Sequence, residues 1–153
     1  MLDLNEVEIL QVALAHEKQA RTFYERLARH QGDTPGGDLF AFLAEEEQGH
    51  IRKLSAKHGI PEFEAGWEEK YLPYLIDLDR LGWEEGVEAG GAEGPEALRK
   101  GLSVAKKAES HAIAFYQQAA KVVEDRNTQE MLSELESEER IHLAKIEAHL
   151  KDL

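Results

Sequence analysis

The chain contains no cysteine, which excludes disulfides, thiolate nucleophiles and any metal site built on sulfur. Aromatic residues make up only 7% of it and there are only 4 prolines. β-Branched residues are also sparse, whereas alanine, leucine, glutamate and lysine are plentiful, which favours helices over strands. Basic residues are in short supply too: 18 Lys and Arg face 31 Asp and Glu, for a formal net charge of -13. Such a chain repels phosphate backbones and anionic headgroups, which argues against nucleic-acid binding and membrane docking, and it attracts cations, metal ions included. No apolar run approaches membrane-spanning length, and Met1-Leu2-Asp3-Leu4-Asn5-Glu6 lacks the basic and apolar segments of a secretion signal, so a cytoplasmic location is expected. The 153 residues suit one all-α domain, 1–153, with a single core.

What is present is four apolar stripes of helical period. Leu10, Ala13, Leu14, Ala20, Tyr24 and Leu27 recur at three- and four-residue steps, predicting a helix over about 5–30 that opens on a capping box of Asn5 with Glu8. Gly32 to Gly37 reads as a tight break, with Thr34 or Asp38 as candidate caps for a second helix over about 35–58 carrying Leu39, Leu43, Ile51 and Leu54. Leu98, Leu102, Ala105, Ala112, Tyr116, Ala119 and Val123 predict a third over about 95–124, with Pro95 at its start and Gly101 as a mild cost. Asn127 with Glu130 suggests a second capping box, opening a fourth helix over about 127–151 with Met131, Leu135, Leu143, Ile146 and Leu150. Short links make helices one and two, and three and four, antiparallel hairpins. Residues 59–94 are too many for a turn and suit a crossover along the bundle. Its Trp67, Tyr71, Leu72, Tyr74, Leu75, Leu78, Leu81 and Trp83 predict short helical pieces broken at Pro73, packed as a lid over one side, with a dimer contact as the sharper alternative.

Sliding the sequence along itself by 92 residues lays the first hairpin on the second without a gap. Leu10 falls on Leu102, Ala13 on Ala105, Glu17 on Glu109, Phe23-Tyr24 on Phe115-Tyr116, Leu43 on Leu135, Glu46-Glu47 on Glu138-Glu139, and His50 on His142. Two equivalent hairpins packed together have approximate two-fold symmetry, so matched polar residues can face one another. Glu17, Glu47, His50, Glu109, Glu139 and His142 all lie on the apolar stripes, where leucine would be expected. The three-residue step from Glu47 to His50, and from Glu139 to His142, puts both side chains on one helix face with Cβ atoms roughly 5 to 6 Å apart.

Four carboxylates converging in a bundle core are strongly unfavourable when bare, because each loses its hydration and repels the others. Two divalent cations supply four positive charges against four negative ones, and each histidine offers a neutral nitrogen. A lone Glu-x-x-His is weak evidence for metal. Two copies on core stripes, with one further core glutamate on each remaining helix, are specific, and a merely hydrogen-bonded polar layer explains neither the number of acids nor the repeat. Glu46 and Glu138 point one position around the helix and are expected in solvent or paired with a basic residue. Tyr24 and Tyr116 lie on the glutamate face and could donate a hydroxyl to a ligand carboxylate, although packing alone would also keep a tyrosine there. Histidines 16, 30, 58, 111 and 149 have no repeated pattern and are expected at the surface.

One glutamate from each of two helices and Glu-x-x-His from each of the others resembles the ligand layout of ferritin-like carboxylate proteins. The Glu-Glu-x-x-His wording at Glu46 to His50 and Glu138 to His142 resembles the rubrerythrin branch over nearly the whole chain, the crossover carrying least of the likeness. The resemblance implies a ferritin-like four-helix bundle of two antiparallel hairpins joined by a long crossover, holding two Fe ions, with Mn or Zn as other occupants. Glu17 and Glu109 would be terminal ligands, Glu47 and Glu139 bridging ones, and His50 and His142 would each complete one metal. Rubrerythrins also carry a four-cysteine rubredoxin-like domain and an additional glutamate near the position of Glu109, whereas the neighbouring turns here hold Lys106, Ala112 and Ile113. The six-ligand set is thus closer to bacterioferritin-like centres.

The implied activity is that of a di-iron oxidoreductase, oxidising Fe(II) with O2 or H2O2, or reducing peroxide with an external electron donor. A non-catalytic iron or manganese binding or storage protein is the alternative, and a homodimer is the oligomer the resemblance implies.

Overall fold

The computed structural model describes residues 2–57, 60–61, 71–84 and 94–153. Among them are five α-helices, α1 (Glu6–Gln31), α2 (Pro35–Lys57), α3 (Leu78–Glu84), α4 (Gly94–Val122) and α5 (Arg126–Lys151), one 3-10 turn at Leu72–Tyr74, and no strand. The all-α arrangement of helix hairpins expected from the stripes is what forms, consistent with the ferritin-like bundle that the resemblance implies. No helix among the described residues is long and apolar enough to cross a membrane.

The helix starts show why the elements begin where they do. At α1 the side chain of Asn5 accepts from Glu8 N–H while Glu8 accepts from Asn5 N–H, both at 2.9 Å, which is the expected capping box. Thr34 caps α2, its hydroxyl accepting from Gly37 N–H at 3.0 Å. The fourth long helix differs from expectation. Asp125, not Asn127, is its cap, with Oδ2 accepting from both the N–H and the hydroxyl of Thr128 at 2.9 Å. A carboxylate there also meets the positive end of the helix dipole, which an amide cannot match. Gly32, at φ 62°, ends α1 in a conformation that side chains with a Cβ resist, and turns the chain into α2.

α1 packs against α2, and α4 against α5, far more extensively than the two hairpins pack on each other, and contact between α2 and α5 is thinner than that between α1 and α4. The buried apolar residues form two clusters. One holds Ala20, Tyr24, Leu27, Phe40, Leu43, Leu102, Ala105 and Ile146; the other holds Leu10, Ala13, Leu54, Ala112, Tyr116, Met131 and Leu135. On every long helix the residues of one cluster precede those of the other in sequence, so the layer between them lies at mid-height. Gly101, which looks costly in a helix, permits close packing: a Cβ there would lie 3.2 Å from Leu27 Cδ1.

The crossover runs over the α1–α4 side. Leu78 is buried in the first cluster and Tyr71 in the second, so the segment spans the mid-layer. Leu78 N–H donates to Gln19 of α1, and the Nε2–H of His111 on α4 donates to Tyr74 O at 2.8 Å. Gln19 and His111 occupy matched positions in the repeat, so the two halves hold the strap from equivalent points. The expected break at Pro73 is the 3-10 turn. His58, Gly59, Trp67 and the side chains of Leu72 and Trp83 lie outside the described residues.

Candidate metal centre

The mid-layer is made of charge. Glu17 from α1, Glu47 and His50 from α2, Glu109 from α4, and Glu139 and His142 from α5 are all at most 4% exposed. They come together as two groups whose ligand atoms lie within 4.8 Å of one another: Glu17, Glu47, His50 and Glu139 in one, Glu47, Glu109, Glu139 and His142 in the other. Glu47 and Glu139 belong to both groups and the other four to one each.

The histidines present Nδ1 inward. His50 Nδ1 is 3.2 Å from Glu17 Oε2 and 2.8 Å from Glu139 Oε1; His142 Nδ1 is 3.1 Å from Glu47 Oε1. The two rings lie nearly parallel, at 14° and 5.6 Å between centroids. Each tyrosine reaches across to the other hairpin: Tyr24 donates to Glu109 Oε1 at 2.6 Å, and Tyr116 to Glu17 Oε1 at 2.5 Å. Their hydroxyls are held protonated, burial first and then the surrounding carboxylates pushing both phenols up.

Burial drives the electrostatics of the layer. It pushes Glu47 and Glu139 well above the ordinary carboxyl range, and repulsion from Glu17 and Glu109 respectively adds to it. Glu17 also feels burial, but hydrogen bonds with Glu47 and His50 outweigh it and bring its carboxyl down to about 2. Glu109 moves down for the corresponding reason, with Glu139 and His142 as partners. Burial disfavours imidazolium, yet Glu139 and Glu17 raise His50, and Glu109 raises His142. Metal-free, the layer therefore shares a few protons among six groups.

Even so, both carboxylate oxygens of Glu47 and of Glu139, Oε2 of Glu109 and both ring nitrogens of His142 are buried beside charged neighbours without a well-aligned hydrogen bond. Buried acceptors aimed at a common centre are costly unless something binds them. Four carboxylates and two neutral imidazoles match two divalent cations in charge and in ligand type, so the residues fit a metal pair.

Two places depart from what the stripes suggest, the Glu46 and Glu138 pair and His16. Glu138 and Glu46 are half-buried or exposed, but they do not simply face solvent: Glu138 Oε2 lies 2.7 Å from His50 Nε2, and Glu46 Oε1 lies 3.7 Å from His142 Nε2. Each carboxylate thus addresses the outer ring nitrogen of the opposite hairpin's histidine, and Glu138 is also 3.6 Å from Lys53 Nζ. A position one step round the helix looks solvent-facing in a wheel, but at the thinly packed α2–α5 seam a glutamate is long enough to cross. The repeat of Glu-Glu-x-x-His, rather than Glu-x-x-His, was the available signal. His16 is the other: it is 4% exposed, its Nδ1 has no partner, and burial lowers its pKa, whereas the sequence pattern put it at the surface. It sits at the α1–α4 seam beside His111, rings 6.3 Å apart, buried by a neighbour that the periodicity of α1 alone does not reveal.

The family model described as Rubrerythrin matches residues 4–69, which take in α1, α2 and the beginning of the segment that follows. That match and the buried acid-histidine layer are consistent with a rubrerythrin-type, ferritin-like di-iron protein. No curated protein and no solved structure matches the chain.

Proposed function

We propose that this chain, whose first hairpin matches rubrerythrin, is an oxidoreductase with a dinuclear carboxylate centre. It would oxidise Fe(II) with O2 or H2O2, or reduce peroxide with electrons from an external donor. The observation that carries the reading is the sharing of Glu47 and Glu139 between two overlapping four-residue groups. Such sharing is what two bridging ligands require. Glu17 with His50, and Glu109 with His142, would complete the two positions as terminal ligands. Iron is the metal we assign; manganese fits the same oxygen and nitrogen donors. When bound, a metal pair supplies two electrons together to an oxygen substrate.

The chain's own residues do the rest. With Nδ1 turned to the metals, the ring proton of each histidine must sit on Nε2, and Glu138 stands where it can accept that proton's hydrogen bond from His50. Tyr24 and Tyr116 hold Glu109 and Glu17 in place through one oxygen each; the second oxygen of Glu109 has no hydrogen bond, and that of Glu17 meets only His50 Nδ1, at 3.2 Å. The two apolar clusters above and below exclude water, which strengthens every charge interaction inside.

The activity is tested by adding Fe(II) to the metal-free chain and following its oxidation optically after O2 or H2O2 is supplied. Fast oxidation of two irons per chain that is lost in Glu47→Ala supports the reading. Oxidation at the rate of free Fe(II), or an unaffected variant, leaves only a binding or storage role.

A further inference from the structure

The two ends of the bundle should be alike by the 92-residue repeat, and they are not. At the end where α4 turns into α5, Val122, Val123 and Thr128 fill the space, and Leu2 and Leu4 pack over the same apolar cluster. The matched positions at the other end are His30, Gln31, Gly36, Gly94 and Glu96, small or polar in every case. Among the described residues nothing plugs that end, and they leave a cavity of about 730 Å3. That is the size of a small-molecule pocket.

Its walls and its charge are both unusual for this chain. Leu98, Pro35, Pro95 and Leu153 supply apolar surface, while Arg29, His30 and His149 supply donors beside the side-chain carboxylate of Asp152. One Arg against one Asp leaves these side chains balanced in charge, in a molecule whose net charge is -13. Arg29 makes no ion pair among the described residues, and the Nδ1 of His30 is buried without a partner. Basic residues are favoured at the ends of α1 and α5 by the helix dipoles in any case. That preference does not account for the missing plug or for the unpartnered nitrogen.

We propose that this cavity binds a small organic carboxylate, its hydrocarbon body against Leu98 and Leu153 and its anionic head met by Arg29 with His30 and His149. The site lies at the end of the bundle, away from the acid-histidine layer, and does not depend on the function assigned to that layer.

Isothermal titration of the full chain with octanoate, octanol and inorganic phosphate tests it. The expected result is one octanoate per chain, with octanol and phosphate each at least about tenfold weaker, since only the carboxylate carries both head and body. Arg29→Gln, a change at an exposed position, should weaken octanoate about tenfold while leaving the melting temperature and metal uptake unaltered. Gly36→Thr, which copies Thr128 and forces Leu98 to move, should weaken it as well. Equal affinity for octanol, equal affinity for phosphate, no octanoate binding, or indifference to Arg29→Gln would each overturn the proposal.

Discussion

The mid-layer of the bundle and the apolar clusters on either side of it share backbone geometry, helix faces and degree of burial, and differ only in what the side chains carry. Leu43 and Glu47 are one turn apart on α2, and both are 0% exposed. The leucine gains from leaving water, whereas the carboxylate loses its hydration and meets three others. A fold therefore tolerates such a layer only as a small inclusion within a larger apolar core, and only if something offsets the charge. The clusters supply the stability, and the layer supplies groups that could hold metal ions.

Replacing the shared acids breaks this contrast most completely. Glu47→Leu with Glu139→Leu turns the middle of the layer into more core. We expect metal binding to be abolished and the metal-free protein to become more stable, because well-packed apolar residues commonly outperform buried charge. Calorimetric melting with and without Mn(II) reads both effects. Leu135→Ala is the reverse experiment. It should cost roughly 2–5 kcal/mol of stability in denaturant unfolding while leaving metal stoichiometry intact.

Acidity sharpens the comparison without mutation. Glu47 and Glu139 are raised above 4.5, and His50 and His142 above 6.5. A group with a raised folded pKa contributes stability that is complete below its unfolded value and is lost as pH rises through its folded value. The metal-free protein should therefore lose melting temperature as pH climbs from about 5 towards 9. Metal ions compete with those same protons, so affinity should rise over that interval. A metal-free melting temperature that increased across that range would contradict the shared-proton layer.

The smallest expected effect belongs to the outer carboxylates. Glu138→Gln should weaken metal binding by about tenfold through loss of the charged partner of His50. Glu46→Gln should do less, since Glu46 stands 3.7 Å from His142 where Glu138 stands 2.7 Å from His50. Equal losses would show that the distances do not matter.

Much of this was legible in the residue order because the chain states its plan twice. The offset of 92 aligns Glu17 with Glu109 and Glu47-His50 with Glu139-His142, and their places on apolar stripes put them inside on pattern alone. What periodicity could not convey was the neighbour on the far side. His16 lies beside His111 of the other hairpin, Glu138 reaches a histidine on another hairpin, and Asp125 outcompetes Asn127 because a charge meets the helix dipole. The cavity was present in the same alignment, as mismatches between Val122 and His30 or Thr128 and Gly36, but a missing plug becomes visible only once both ends are built.

The central claim, that the acid-histidine layer is stable because cations lie within it, is tested most directly by titrating the metal-free chain with Fe(II) without oxygen while following melting temperature. Saturation at two ions per chain with a marked rise in melting temperature is the predicted result. Failure to take up metal, or uptake that leaves the melting temperature where it was, would contradict it.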